Sequence, residues 1–178
     1  MYRPEKDGID HINAYSKART AIGRRLTNYA HAPFDHRLFG HFESIEGFWF
    51  WLASGRQYNK LKELHGFQAH ELGRVCLENI DYDSVVSDPK FRKWIREAIE
   101  CKFRQDTTLL QGLIETGDLP IVHYYYDYKN PVIEEARVEY LPQHQWQMDI
   151  VMEIRERTKK WMKEKGISDI SKHSFKKS

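Results

Sequence analysis

Cysteine is nearly missing from this chain: there are two, Cys76 and Cys101, among 178 residues. They lie far apart and outside any CxxC pattern, which leaves no disulfide framework and reads as free thiols of a reducing cytosol, packed inside helices. No apolar run approaches the roughly 20 residues of a membrane span. The opening MYRPEKDGID lacks the apolar core of a signal peptide, so the expected location is cytoplasmic. Neither GxGxxG nor GxxxxGK[ST] occurs, which removes those two nucleotide-binding fingerprints. Charge of one sign is also scarce: the net charge of +2 is too small to argue for nucleic acid by itself.

What is present fits one globular domain. A hydrophobic fraction of 40% and a charged fraction of 30% belong to a soluble, folded chain of ordinary domain size. Residues 1–8, with Pro4 and Gly8, read as a flexible lead-in. Residues 9–166 read as the domain, and 167–178 as a basic, disordered tail. Within the domain, Ile9 to Tyr15 suggests an edge strand. Lys17, Arg19, Arg24 and Arg25 surround Gly23 in a basic segment that is equally a phosphate site or a solvated loop. His31, His36 and His41 recur at five-residue spacing, which matches no zinc motif, and no metal site is expected. Asn79 to Ser87 reads as loop. Asp88-Pro89 is a helix start, and Asp106 caps the next helix, which stops at Gly117. LPIVHYYY, Leu119 to Tyr126, is the best strand signal. QWQMDIVMEIRERTKKWM is helical up to Gly166.

The densest chemistry lies in GHFESIEGFWFWLASG, Gly40 to Gly55. Ser44 is a plausible N-cap, Glu46 sits in the first turn, and Phe48, Trp49, Phe50 and Trp51 follow. At about 3.6 residues per turn, four consecutive aromatics cannot share one helix face. Some must line a cavity or meet a neighbouring segment. A carboxylate entering such a cavity is desolvated and its pKa rises, whereas the helix N-terminus favours its anion. A surface glutamate on an aromatic core helix is the competing reading. Gly73, inside the helical pattern FQAHELGRVCL, implies close packing against a helix or a ligand.

Seven segments in order carry a resemblance: INAYS (Ile12 to Ser16), TNYAHAPF (Thr27 to Phe34), GHFESIEGF (Gly40 to Phe48), AHELGR (Ala69 to Arg74), AIECKFRQ (Ala98 to Gln105), LLQGLIETG (Leu109 to Gly117) and IVMEIRE (Ile150 to Glu156). Together they resemble the NADAR (NAD- and ADP-ribose-related, YbiA-like) family. The resemblance implies an α+β fold, mostly helical with a small β-sheet, in a YbiA-like single domain. It also implies hydrolysis of an N-glycosidic bond of a ribose phosphate or of ADP-ribose, extending to ADP-ribose on guanine in nucleic acid. No cofactor is implied.

Carried over by position, the family's glutamate is Glu46, its asparagine Asn28 and its late acidic residue Asp127, the three expected catalytic residues. Tyr15, Ser16, Phe34, Gly73, Arg74 and Lys102 fall in matching motifs as substrate-binding positions. Lys17, Arg19 and Arg24 would add phosphate contacts, and Trp49 a wall for the base. The chain departs from the family at Gly47, where a histidine is usual, and at Ala53, where a lysine is usual. The W-G-x-G segment is replaced by YYYDYKNP. The loss of the lysine and of W-G-x-G motivates a second reading, a module that binds ADP-ribose or a nucleotide without turnover.

Overall fold

The computed structural model describes residues 2–173 and 175. A 3-10 turn at Pro4–Lys6 leads to strand β1 (Ile12–Asn13) and helix α1 (Ala21–Leu26). The hairpin of β2 (Phe34–His36) and β3 (Gly40–Phe42) precedes α2 (Ile45–Ala53). A 3-10 turn at Asn59–Glu63 leads to α3 (Gly66–Cys76), α4 (Tyr82–Ser87) and α5 (Pro89–Gln105). Then come α6 (Thr107–Glu115), β4 (Ile121–Val122), β5 (Tyr124–Tyr126), β6 (Val138–Tyr140) and α7 (Gln145–Lys165). The fold class is the expected one: α+β, mostly helical, with small two-stranded sheets.

Local chemistry explains the boundaries. The Ser44 hydroxyl accepts the Gly47 N–H and the Asp106 carboxylate accepts the Leu109 N–H, so both expected caps form. Each such cap contributes about 1 kcal/mol. Gly166 ends α7 with φ +66°, the left-handed conformation that glycine adopts without a Cβ clash. Thr20 and Asp81 cap α1 and α4 in the same way, turning two stretches that read as loop into helices of six residues each. Helices that short display too little periodicity to be recognised.

By internal contacts the chain divides into two compact units. The first comprises Met1–Thr27 and Asp106–Ser178. Here β1 runs parallel to β4, with Ile12 opposite Ile121, and β5 pairs antiparallel with β6, Tyr124 opposite Tyr140. The three tyrosines alternate as strand geometry demands: Tyr124 and Tyr126 are buried and Tyr125 is exposed. The lead-in, which composition marks as loose, is held by one buried carboxylate. Asp7 accepts the backbone N–H groups of Asn13 (2.9 Å), Arg19 (2.9 Å) and Thr20 (3.2 Å). The start of the basic tail is folded too: Ile170–Lys172 forms a 3-10 turn in which Ile170 is fully buried and its N–H donates to Gln111. Residues 174 and 176–178 of that tail lie outside the described residues. Arg155, from the IVMEIRE segment, is buried and donates to the Thr116 hydroxyl and the Leu119 carbonyl, closing the C-terminal end of α6.

The second unit, Asn28–Gln105, is built around α2. All four consecutive aromatics of that helix are buried, because neighbours surround α2: the hairpin takes Phe48 and Trp51, α5 takes Trp49 and α3 takes Phe50. Phe48 packs edge-on to Phe42 of the hairpin, and Trp49 edge-on to Phe91 of α5. Phe50 faces α3, and Trp51 packs on Phe39 and Phe42. A helix that is hydrophobic all round is a central one. Gln105, at the end of α5, extends the hairpin with its side-chain amide, accepting the Asp35 N–H and donating to the Asp35 carbonyl, each at 2.8 Å.

The hairpin histidines separate rather than converge. His41 bonds Asp35 through Nδ1 (2.9 Å) and Glu43 through Nε2 (3.1 Å), which requires a proton on each nitrogen. These bonds raise its pKa, and His31 with His41 lowers that of Glu43. His36 is buried between the Phe39 and Phe48 rings, and desolvation lowers its pKa. Imidazole NMR titration is therefore expected to place His41 above and His36 below the ordinary 6.5. The stabilising contribution of His41 is full below 6.5 and is lost as pH rises through its elevated folded value. That of Glu43 is present above 4.5 and is lost as pH falls through its depressed value. A shared midpoint for the two histidines contradicts this arrangement.

Candidate functional site

Glu46 occupies the first turn of α2, and its backbone N–H donates to the Asn28 carbonyl at 3.0 Å. Its carboxyl group is buried, at 11% side-chain exposure, and Oε1 lies 2.9 Å from Nδ1 of His70 on α3. His70 is one-third exposed, with the Tyr29 and Phe50 rings packed about it at centroid distances of 5.5 and 5.6 Å. Arg74 lies one helical turn beyond His70, on the same face of α3. It is exposed, and among the described residues its guanidinium makes no hydrogen bond or ion pair.

Burial pushes the Glu46 carboxyl above the ordinary carboxylate range, and the His70 bond only partly opposes it. The surface-glutamate reading is thereby set aside: the helix N-terminus is present, yet desolvation prevails. Its partner moves the same way, since the bond to Glu46 raises the His70 pKa. The pair joins a largely buried acid to a partly exposed imidazole. Groups held this way can carry protons near neutral pH.

The remaining expected residues divide by unit. Asn28, Phe34, Glu46, Trp49, Gly73, Arg74 and Lys102 belong to the second, and Tyr15, Ser16, Lys17, Arg19, Arg24 and Asp127 to the first. Several of them have core positions. Phe34 is 1% exposed and stacks on Phe42, and Lys102 is 2% exposed on the inner face of α5. Trp49 is also buried, and its indole N–H donates to the Tyr82 hydroxyl at 2.9 Å, so it packs against α4 and α5 rather than walling a cavity. In the basic segment, Arg19 donates to the Glu5 carbonyl, Arg24 to the Ala18 and Arg19 carbonyls, and Arg25 pairs with Asp106. Gly23 lies within α1, where a Cβ would sit 2.4 Å from the Asn13 carbonyl oxygen, so a close backbone approach explains it. Lys17 lies over the Tyr128 ring at 5.3 Å, and Asp127 is exposed at the end of β5, its carboxylate accepting the Lys129 N–H.

Sequence reasoning missed His70. Its one available signal was its place four residues before Arg74 in AHELGR, which puts both on one helix face. The glycine of that segment has a plain cause: a Cβ on Gly73 would lie 2.1 Å from the Phe50 ring, so a helix contact and not a ligand demands it. Gly73→Ala is expected to be destabilising by about 1–3 kcal/mol through overpacking, despite alanine's better helix propensity. Thermal melts should show a Tm lower by roughly 5 °C. An unchanged Tm contradicts the packing argument.

By its fold the chain is a YbiA-like α+β protein. It matches the NMR structure of the E. coli protein YbiA with a TM-score of 0.56 and 17% sequence identity, over 91% of this chain and 95% of that one. At this identity the likeness is one of fold. No protein-family model and no curated protein sequence matches the chain. No helix among the described residues is long and apolar enough to cross a membrane.

Proposed function

We propose that the protein is a hydrolase of N-glycosidic bonds acting on a ribose phosphate or on ADP-ribose, including ADP-ribose carried on guanine in nucleic acid. The observation that carries this reading is the buried Glu46 carboxyl bonded to one-third-exposed His70. Cleaving a ribose C1–N bond builds positive charge on the sugar and leaves an electron pair on the base nitrogen. A carboxyl group of raised pKa can protonate that nitrogen, and its anion then stabilises the cationic sugar. Water completes the reaction: its hydroxide adds to C1, and its second proton replaces the one lost from Glu46. His70 is the path for that proton. In this reading His70 also supplies, from a different helix, the imidazole that the family pattern carries directly after its glutamate, where this chain has Gly47. In this reading Arg74 would hold a phosphate and Asn28 would orient the ribose.

The test is release of free ADP-ribose from ADP-ribosylated guanosine, followed by mass spectrometry for the wild-type protein and Glu46→Gln. Equal rates from both would sink the catalytic role. The absence of the family lysine at Ala53 favours a second reading, an ADP-ribose-binding module without turnover. Calorimetric saturation by ADP-ribose, with no product after long incubation, selects it.

A further inference from the structure

The first unit contains a cavity of about 580 Å³ that no part of the glycosidase reading uses. This lies within the roughly 300–1,000 Å³ of small-molecule sites. Its walls are apolar and aromatic: Tyr2, Val122, Tyr140, Leu141, Pro142 and Met152. No Asp, Glu, Lys or Arg lines it. A phosphate or carboxylate would therefore enter without a counter-charge and lose its hydration, at a cost no neutral wall can offset.

Two polar side chains at this wall are held in fixed states. His123, between β4 and β5, lies 2.7 Å through Nδ1 from the Ala14 carbonyl. A carbonyl only accepts, so Nδ1 carries the proton and Nε2 is left as a bare acceptor. Burial, aided by the neighbouring His144, lowers the His123 pKa and keeps the ring neutral; the Ala14 bond opposes this more weakly. Gln145, at the start of α7, donates its amide nitrogen to the Ile121 carbonyl (3.1 Å) and the Asp149 carboxylate (3.2 Å). Its Oε1 is left as the second acceptor. Two of the donors nearby are engaged: the Ile121 N–H on the Met152 sulfur, and the Tyr140 hydroxyl on the Tyr2 carbonyl. Tyr2 adds its own phenol to the wall.

We propose that this cavity is a binding site for an uncharged aromatic molecule of about two fused rings that carries an O–H or N–H donor, with His123 Nε2 and Gln145 Oε1 as its acceptors. Flat aromatic walls suit such a body, and the acceptors select its donor. A partly buried acceptor pair set in apolar walls rejects an analogue without the donor more strongly than those walls can distinguish ring sizes. The site is separate in chemistry from that of Glu46, since it excludes the phosphates that the glycosidase reading requires.

The test uses the full chain and three probes of one shape: 2-naphthol, naphthalene and 2-naphthoate. In NMR titrations, 2-naphthol should give saturable shifts of the Met152 methyl and the Ile121 and Val122 amides. Naphthalene should bind at least tenfold more weakly, and 2-naphthoate should leave those signals in place at pH 7. His123→Phe should bring 2-naphthol and naphthalene to similar affinities, and Gln145→Leu should narrow the gap independently if the first variant does not fold. Absence of shifts with 2-naphthol, equal binding of naphthalene, or binding of the naphthoate overturns the proposal, and none of these needs a variant.

Discussion

Glu46→Gln is expected to lower the rate of ADP-ribose release by about 10²–10⁴-fold, the usual range for removing a general acid or base. That corresponds to roughly 3–5 kcal/mol of transition-state stabilisation. The same substitution should leave the melting temperature unchanged or raise it. Glutamine keeps the shape and an oxygen that can accept from His70, while removing a carboxyl group whose ionisation burial disfavours. The pH dependence gives a sign. The folded pKa of Glu46 lies above its ordinary 4.5, so this group subtracts stability as pH rises through that window. The folded pKa of His70 lies above 6.5, so its added stability is present below 6.5 and is lost as pH rises through the folded value. Both trends lower wild-type stability with rising pH, and the variant lacks them. Its Tm relative to wild type should therefore climb between pH 5 and 8 by calorimetry. A variant that melts well below wild type at pH 8 would mark Glu46 as structural instead.

The second large effect is on folding. Gly47→His introduces the histidine that the resembled motif carries after its glutamate, and it should destabilise the protein by about 3 kcal/mol or more. A Cβ on Gly47 would sit 2.2 Å from the Leu61 carbonyl oxygen and 3.0 Å from that of Leu64. Both are backbone atoms of the segment that crosses α2, so no side-chain rotation relieves the clash. The Glu43 N–H donates to the Lys62 carbonyl, and the Ser44 hydroxyl donates to the Leu64 carbonyl, which tie that segment in place. Soluble expression with a wild-type urea midpoint would contradict this. The packing also shows why position 47 cannot carry an imidazole here.

Much of this was legible in the order of residues. Ser44, Asp106 and Gly166 mark helix ends through hydrogen bonds and dihedrals that depend only on nearby chain. The alternation of Tyr124, Tyr125 and Tyr126 follows from strand geometry, and the order of seven short motifs implied the YbiA-like fold. Local physics governs such features, so sequence carries them.

What sequence left open is where each side chain goes once segments meet. The run Phe48 to Trp51 must leave a single face, but whether it lines a cavity or is enclosed depends on having neighbours on every side of α2. Glu46 precedes His70 by 24 residues, and no periodicity links them. Their bond exists because Gly73 lets α3 close against Phe50. The stretch around Glu46 alone determined that a carboxyl group begins an aromatic helix. Only the tertiary structure decided that this carboxyl is desolvated and paired with an imidazole, because burial and long-range contact are properties of packed segments and not of their order.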